Sequence, residues 1–294
     1  MSAIAVARLA HGLGAEVTGV DIAGPLDADT VAAIRQAWLA HQVLVFRGQR
    51  LTPAQQIRFS GYFGPLDANQ GLPHYRHPEH PEIFVITTKP VAGKPSETRH
   101  TGRAWHTDLS HTLNPAMGTL LHCLEKPPVG GDTVWANMYM AWETLSAPLR
   151  GFLETLSAVH DLSLVRDFAR RDPRQVAEMY RLNPPVAQPV ARRHPESGRT
   201  ALFIAHRVGK FVGMSERESR PLLDFLLEHA TQPEFCYRHR WREHDLVMWD
   251  NRCTLHIALQ DYDINEARHM LRTTLTGAPS GRLYDAGADA AVAS

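Results

Sequence analysis

His106-Thr-Asp108 is the one His-x-Asp in the chain, and it follows Trp105. A further histidine, His256, lies 150 residues downstream, at the end of Trp249-Asp-Asn-Arg-Cys-Thr-Leu-His256. Twelve residues on stands Arg268, and four later Arg272. Two neutral imidazoles and one carboxylate can occupy one face of a six-coordinate Fe(II), which leaves three positions for a chelating co-substrate and O2. An arginine just past the second histidine could then pair with a dicarboxylate held on that ion, since a guanidinium fork meets a carboxylate with two hydrogen bonds. Zinc competes for the same residues, because three protein ligands and an open position also make a hydrolytic site. No His-Glu-x-x-His is present and nothing marks a separate general base, so the arginine pair favours the dicarboxylate.

Three near misses share the pattern: His77-Pro-Glu79, His80-Pro-Glu82 and His194-Pro-Glu196. Proline in the middle fixes φ and suits a turn, so all three read as surface features. Around His106 the flanking Trp105 and Leu109 suggest a strand instead, whose alternation would put residues 106 and 108 on one face. Arg268 and Arg272 share a face on either a helix or a strand, and could divide a co-substrate and an acidic substrate between them.

The bulk numbers narrow the partners. Lys plus Arg is 31 and Asp plus Glu is 31, so no global field favours nucleic acid or an anionic membrane. Tyr237 to Arg242 (YRHRWR) is a locally basic stretch. Cys123, Cys236 and Cys253 are isolated in apolar segments and read as reduced, buried thiols of a cytoplasmic protein. No apolar run approaches the roughly 20 residues of a membrane span. The glycine-broken N-terminus reads as folded protein rather than a signal peptide.

The elements that must position these residues follow from pattern. Asp27 to Gln42 carries a helical stripe at Val31, Ile34, Trp38 and Leu39. Thr52-Pro53 opens a second helix toward Tyr62, with an N-cap and proline at the first position. Helical segments are expected near Tyr139–Leu156, Asp167–Tyr180 and Ser215–His229, the last with a Ser-x-x-Glu cap. Strands are expected at Val43–Phe46, Ile83–Thr87, Met117–Leu124, Asp132–Trp135, Leu202–Ile204, Glu234–Tyr237, Leu246–Trp249, His256–Leu259 and His269–Leu275. Residues 88–104 read as an exposed loop that could serve as a lid. Many short strands with helices at the start and in an insertion predict an α+β chain built on a double-stranded β-helix (jelly-roll) core with flanking and inserted helices. Residues 1–277 would form one domain and 278–294 a weakly ordered tail, and the metal residues would come from facing strands of one barrel.

Trp105-His-Thr-Asp108, Gly130-Gly-Asp-Thr133, Trp249-Asp-Asn-Arg252, His256 and Arg268-x-x-x-Arg272, in this order, resemble the taurine dioxygenase / 2,4-dichlorophenoxyacetate dioxygenase family. The resemblance runs from Gly14-Ala-Glu-Val-Thr-Gly-Val-Asp21 through Val43-Leu-Val-Phe-Arg-Gly48 and Phe63-Gly-Pro-Leu66 to Gly277, and the segment from Leu227 to His256 looks closest to the herbicide-degrading branch. It implies that His106, Asp108 and His256 bind Fe(II), with 2-oxoglutarate and O2 as co-substrates. Arg268 would pair with the distal carboxylate of 2-oxoglutarate, helped by the Thr133 hydroxyl, and Trp249 would pack beside it. Arg272 matches the position that holds the substrate's anionic group. Where taurine dioxygenases carry a sulfonate-contacting histidine, this chain has Asn69 or a neighbour, which speaks against taurine.

The implied reaction decarboxylates 2-oxoglutarate to succinate and CO2 while hydroxylating a substrate C–H. Asp108 sets the chain apart from halogenating relatives, which lack the metal carboxylate. The expected partners are a small anionic organic substrate (aryloxyalkanoate, sulfonate, alkyl sulfate or carboxylate) and further copies of the chain in a dimer or tetramer, with no nucleic acid and no membrane. The rival readings are a metal-dependent hydrolase and a non-catalytic small-molecule-binding protein on the same jelly roll.

Overall fold

Val43-Leu-Val-Phe46 is apolar at every position and buried throughout, which a strand tolerates only when both its faces are covered. A computed structural model of the chain describes residues 4–68, 75–91, 93–164 and 173–287 and shows what covers them. Among these residues a seven-stranded sheet runs in the order β1 (Ala5–Arg8), β2 (Ala15–Thr18), β3 (Val43–Phe46), β13 (Leu246–Asp250), β5 (Gly118–Glu125), β15 (His269–Leu275), β4 (Phe84–Thr87). Only β2 and β3 pair in parallel; the other neighbours are antiparallel. On one face, Leu44, Phe46, Leu120, Leu246, Met248 and Leu275 meet the helices α1 (Ala28–His41) and α2 (Pro53–Gly61) through Ile34, Trp38 and Phe59. On the other, Val43, Val45, Leu121, Val247, Trp249 and Met270 meet Trp135 and Tyr237 of a second sheet. Each of these large side chains contributes about 1.5–3 kcal/mol by leaving water.

The second sheet holds β12 (Cys236–His239), β6 (Thr133–Asn137) and β14 (Thr254–Ala258), all antiparallel. A four-stranded sheet of β11 (Val208–Phe211), β7 (Ser157–His160), β8 (Val186–Pro189) and β16 (Arg282–Leu283), and the pair β10 (Thr200–Leu202) with β9 (Ala191–Arg193), complete the strands. A third core joins α3 (Met138–Glu143), α4 (Ala147–Leu153) and α6 (Glu216–Ala230) to them through Trp142, Leu153, Phe211 and Leu223. The mixture of helices and mainly antiparallel sheets is α+β.

The caps form as the sequence reads. Asp27 accepts from the Thr30 amide, and both Thr52/Gln55 and Ser215/Glu218 close capping boxes. Several expectations shift. The segment Tyr139–Leu156 breaks into α3 and α4 at Thr144–Ser146. Of Asp167–Tyr180, residues 167–172 lie outside the described residues, and α5 (Pro173–Leu182) covers the rest. The strand expected at Glu234–Tyr237 slides to Cys236–His239, because Pro233 opens a 3-10 turn first. Strands β7, β8, β9 and β11 are not among those expected, having no unbroken apolar run like that of β3. Beyond residue 277 the chain remains fastened for some way: β16 pairs with β8, and the Ser280 hydroxyl bonds Gln188. Residues 288–294 lie outside the described residues.

Candidate active site

His256 sits on β14, and His106 lies against it as an isolated antiparallel bridge. Their backbones bond in both directions, His106 N–H to the His256 carbonyl at 3.0 Å and the reverse at 2.8 Å. Asp108 does not follow on a strand as expected. The chain turns at once, Leu109 taking φ +53°, so Asp108 reaches the site from a turn rather than by alternation. What holds that turn is Asn251, at the end of β13. Its Oδ1 accepts from the Asp108 amide at 3.2 Å and from Trp249 Nε1 at 3.0 Å, and its carbonyl accepts from the Thr107 hydroxyl at 2.7 Å. The Asn251 amide donates to Thr119 Oγ1 at 2.8 Å, and the Thr119 hydroxyl donates to Asp108 Oδ2 at 2.8 Å.

The three side chains converge. His106 Nε2 is 3.9 Å from Asp108 Oδ1, His256 Nε2 is 3.8 Å from Asp108 Oδ2, and the rings lie 4.0 Å apart. All three donor atoms fall within 4.8 Å of one another and all three residues are buried. One ion bonded at about 2.0–2.2 Å to each can draw them together with small movements. His106 Nδ1 lies 2.7 Å from the Ala104 carbonyl, an acceptor only, so Nδ1 carries the proton and the Nε2 lone pair faces Asp108. Burial first, then the neighbouring His256 and Arg207 charges, push His106 well below the ordinary histidine range. Burial likewise pushes His256 down to about 4. Burial alone would raise Asp108, yet Arg272, the two histidines and the Thr119 hydroxyl hold it below the usual carboxylate range. Two neutral imidazoles and one carboxylate are the protonation state a divalent cation needs.

Arg268 is 6% exposed and has no acidic partner among the described residues; its Nε donates to the Gly131 carbonyl at 3.3 Å. It lines a small cavity with Thr88, Arg99, Thr101, Ala258 and Tyr262. The Gly130-Gly131 turn beside it requires glycine, since both residues have positive φ and a Cβ on Gly130 would stand 2.3 Å from the Asp261 carbonyl oxygen. That turn delivers Thr133, whose hydroxyl accepts from Trp241 Nε1 at 3.0 Å and so keeps its own proton to donate. Trp249 is buried with its ring 4.9 Å from that of His256. Arg272 stacks over Phe84 at 4.4 Å and pairs with Asp108 Oδ1 at 3.0 Å, facing the metal carboxylate rather than open space. Asn69 lies outside the described residues.

One expectation fails. His194 of the third His-Pro-Glu is not a surface residue: it is buried and bonds Asp250 at 3.0 Å, while Glu196 bonds Arg252 at 2.6 Å. The turn that proline makes sits against the core, which pattern alone cannot tell. In the basic stretch at 237–242, Tyr237, His239 and Trp241 are buried while the arginines stand exposed, Arg238 pairing with Asp132 and Asp261. Sequence reading also passes over Asn251, Thr119, Trp241 and Arg207. Asn251 carries a turn signal that fits a holding role, but no spacing marks the others.

With the geometry in place, the family model "Taurine catabolism dioxygenase TauD, TfdA family" matches residues 5–274. The chain belongs to this family. It is 37% identical over 279 residues to the alpha-ketoglutarate-dependent 2,4-dichlorophenoxyacetate dioxygenase of Cupriavidus pinatubonensis (strain JMP 134 / LMG 1197), covering 92% of this chain and 96% of that one. It is 34% identical over 282 residues to an alkylsulfatase of Acinetobacter baylyi (strain ATCC 33305 / BD413 / ADP1), covering 92% and 84%. Among solved structures, AAD-2 in complex with Mn(II) and N-oxalylglycine superposes with a TM-score of 0.83 at 32% identity over 95% of this chain and 98% of that one. The chain is therefore an alpha-ketoglutarate (2-oxoglutarate)-dependent dioxygenase that uses Fe(II), 2-oxoglutarate and O2. None of its helices, among the described residues, is long and apolar enough to cross a membrane.

Proposed function

We propose that His106, Asp108 and His256 hold the iron, and that the substrate is a small organic anion hydroxylated beside it: an aryloxyalkanoate, an alkyl sulfonate or sulfate, or a carboxylate. The observation that carries this is the buried triad with both Nε2 atoms turned to one carboxylate, together with Arg268, which has no acidic partner among the described residues. The relatives add the substrate class, being named for a dichlorophenoxyacetate, alkyl sulfates, sulfate esters, phenoxypropionate and sulfonates.

Iron with 2-oxoglutarate and O2 supplies the oxidant, and the protein supplies binding and aim. Arg268 takes the distal carboxylate of 2-oxoglutarate, the Thr133 hydroxyl donates to it, and Trp249 walls that side. Both groups wait with unused hydrogen-bonding capacity where water is scarce, so an incoming carboxylate meets charge without losing a competing partner. Thr119 and Asn251 fix the Asp108 carboxylate, and the Ala104 carbonyl fixes His106, so little reorganisation accompanies metal loading. Arg272 turns to the substrate's anionic group, with Asn69 a further substrate contact. The two facing sheets with Trp135, Tyr237 and Trp249 between them form a jelly roll, and residues 1–277 form one domain with the tail after it. A cytoplasmic dimer or tetramer completes the reading.

Anaerobic titration of Fe(II) and 2-oxoglutarate, followed by candidate anions, tests it. A weak visible metal-to-ligand band should form and then shift with a substrate anion. Iron-loaded, folded protein without that band would return the hydrolase reading to the front.

A further inference from the structure

The chain has a third arginine at the site that no motif marks. Arg207 follows β10 in a half-buried loop, and its guanidinium makes no ion pair or hydrogen bond among the described residues. Its place is fixed from two sides. The neighbouring His206 accepts the Trp105 amide on its ring at 3.0 Å and donates its own amide to the Trp105 carbonyl at 3.0 Å, next to the metal-facing His106. The Arg207 carbonyl accepts from Asp161, and β11 then runs Val208 opposite His160. The Arg207 charge accordingly acts on His106, His256, Asp108, Arg272, His111 and His160 together.

Among the described residues, buried polar atoms without hydrogen-bond partners gather in the same corner: Ser110 Oγ, His111 Nδ1, the ring nitrogens of His160, and Arg192 Nη1. Each of these residues is more than nine-tenths buried. The Gln188 amide, bonded to the Ser110 and Thr112 carbonyls at 3.2 and 2.8 Å, pins the Ser110-His111 turn to the sheet that carries His160. Burial and the Arg207 charge press both histidines down to about 3, so they stand as neutral rings able to donate or accept. Native interiors seldom leave so many polar atoms unmatched in one place, since each costs energy until something pairs with it.

Charge balance says what would pair with them. Setting aside Arg99 and Arg103, which line the Arg268 cavity from the loop before Trp105, the three arginines Arg207, Arg268 and Arg272 with a divalent ion bring five positive charges, and Asp108 with doubly charged 2-oxoglutarate cancels three. A singly charged substrate leaves one positive charge unmet in a partly dry site, whereas a doubly charged one closes the account.

We propose that Arg207, backed by Ser110, His111 and His160, is a second anion-recognition point, and that the prime substrate is a diacid with one acidic group on the Arg272 side and the other on Arg207. This rests on the small-anion reading above and sharpens it.

The test uses the anaerobic Fe(II)·2-oxoglutarate enzyme with matched probes: phenoxyacetate against 4-carboxyphenoxyacetate, and ethanesulfonate against sulfoacetate. The shift of the visible band reports binding. At least one diacid should bind about tenfold tighter than its monoacid partner, the scale of one charge-assisted hydrogen bond. Arg207→Gln should erase that preference while leaving the 2-oxoglutarate band and its titration unchanged; Arg207→Lys should keep most of the preference. Equal binding of both members, binding of neither, or a preference that survives Arg207→Gln overturns the proposal. Should Arg207→Gln lose the band itself, Arg207→Lys and His111→Phe decide in its place, the second expected to weaken only the diacid. Failure of the wild-type band to form at all is a different result, for it removes the oxygenase site rather than the second anion point.

Discussion

Among the described residues, two buried clusters offer a histidine, an aspartate and a third donor within 4.8 Å: His106, Asp108 and His256, and His194, Asp250 and Cys253. Their compositions are alike and their chemistry is opposite. In the first, His106 Nδ1 gives its proton to the Ala104 carbonyl and leaves the Nε2 lone pair for a metal. In the second, His194 Nδ1 accepts the Glu196 and Ser197 amides, at 3.2 and 3.0 Å, so the proton sits on Nε2 and is spent on Asp250. Asp250 is further engaged by Arg252 through both oxygens, at 2.8 and 2.6 Å, and burial keeps the Cys253 thiol protonated by pushing it well above its ordinary range. A metal centre is thus recognised by what its donors have left to give, after their other hydrogen bonds are counted. The second cluster is a strut that ties the β9–β10 turn to the end of β13.

The sharpest way to break this comparison is a pair of alanine variants. His106→Ala should lose both iron and turnover, while His194→Ala should keep its full iron stoichiometry and lose about 1–3 kcal/mol of stability from a stranded partner. Iron retained in the first or lost in the second would reverse the roles. Next comes Arg268→Ala, which should weaken 2-oxoglutarate by about 3–5 kcal/mol, more than a hundredfold, because the bound carboxylate would face a buried site without its counter-charge. An unchanged titration midpoint would move that role elsewhere.

Acid should weaken the fold through the histidines around the triad. His111 and His160 lie near 3 and His256 near 4 in the folded chain, against about 6.5 unfolded, so below that value the unfolded chain takes up protons that the native one refuses. Stability of the metal-free protein should be complete above about pH 7 and fall as pH drops from 6.5 toward 4, by about 1.4 kcal/mol per unit for each such histidine. Denaturant midpoints across that range check it, and His160→Phe should flatten the slope. Smallest is Trp241→Phe. Losing the bond to the Thr133 hydroxyl frees that proton's orientation and should weaken 2-oxoglutarate by about 0.5–1.5 kcal/mol, read as a shift in its titration; no shift would leave Thr133 positioned by its backbone alone.

Much of the candidate site was legible because the residues proposed to touch metal or carboxylate sit in short runs with characteristic neighbours. His106, Asp108 and His256 come together as their order suggests, and Arg268 lines a cavity with Ala258, two residues past His256. The helices at Asp27–Gln42 and Ser215–His229 were legible through caps and stripes, which are local. What stayed hidden is non-local or lacks a period. His194 and Asp250 stand 56 residues apart and share no pattern, so the proline turn read as surface. Asp108 reaches its place through a positive-φ turn at Leu109, which strand alternation misplaces. Arg207 gains its meaning only when β7, β10 and the Trp105 segment are brought together, and β7 (Ser157-Ala-Val-His160) lacks the unbroken apolar run that marked β3.

The reciprocal backbone bonds between His106 and His256 carry a consequence for the order in which the protein is made. Two of the three donors lie 150 residues apart in the chain and meet only when β14 is laid against the segment before Asp108. A nascent chain cannot assemble the site until β14 has left the ribosome and the long-range sheet has closed, which is the slow part of building such topologies. If these residues hold the iron as proposed, the metal cannot guide the early chain and can bind only after the long-range sheet has closed.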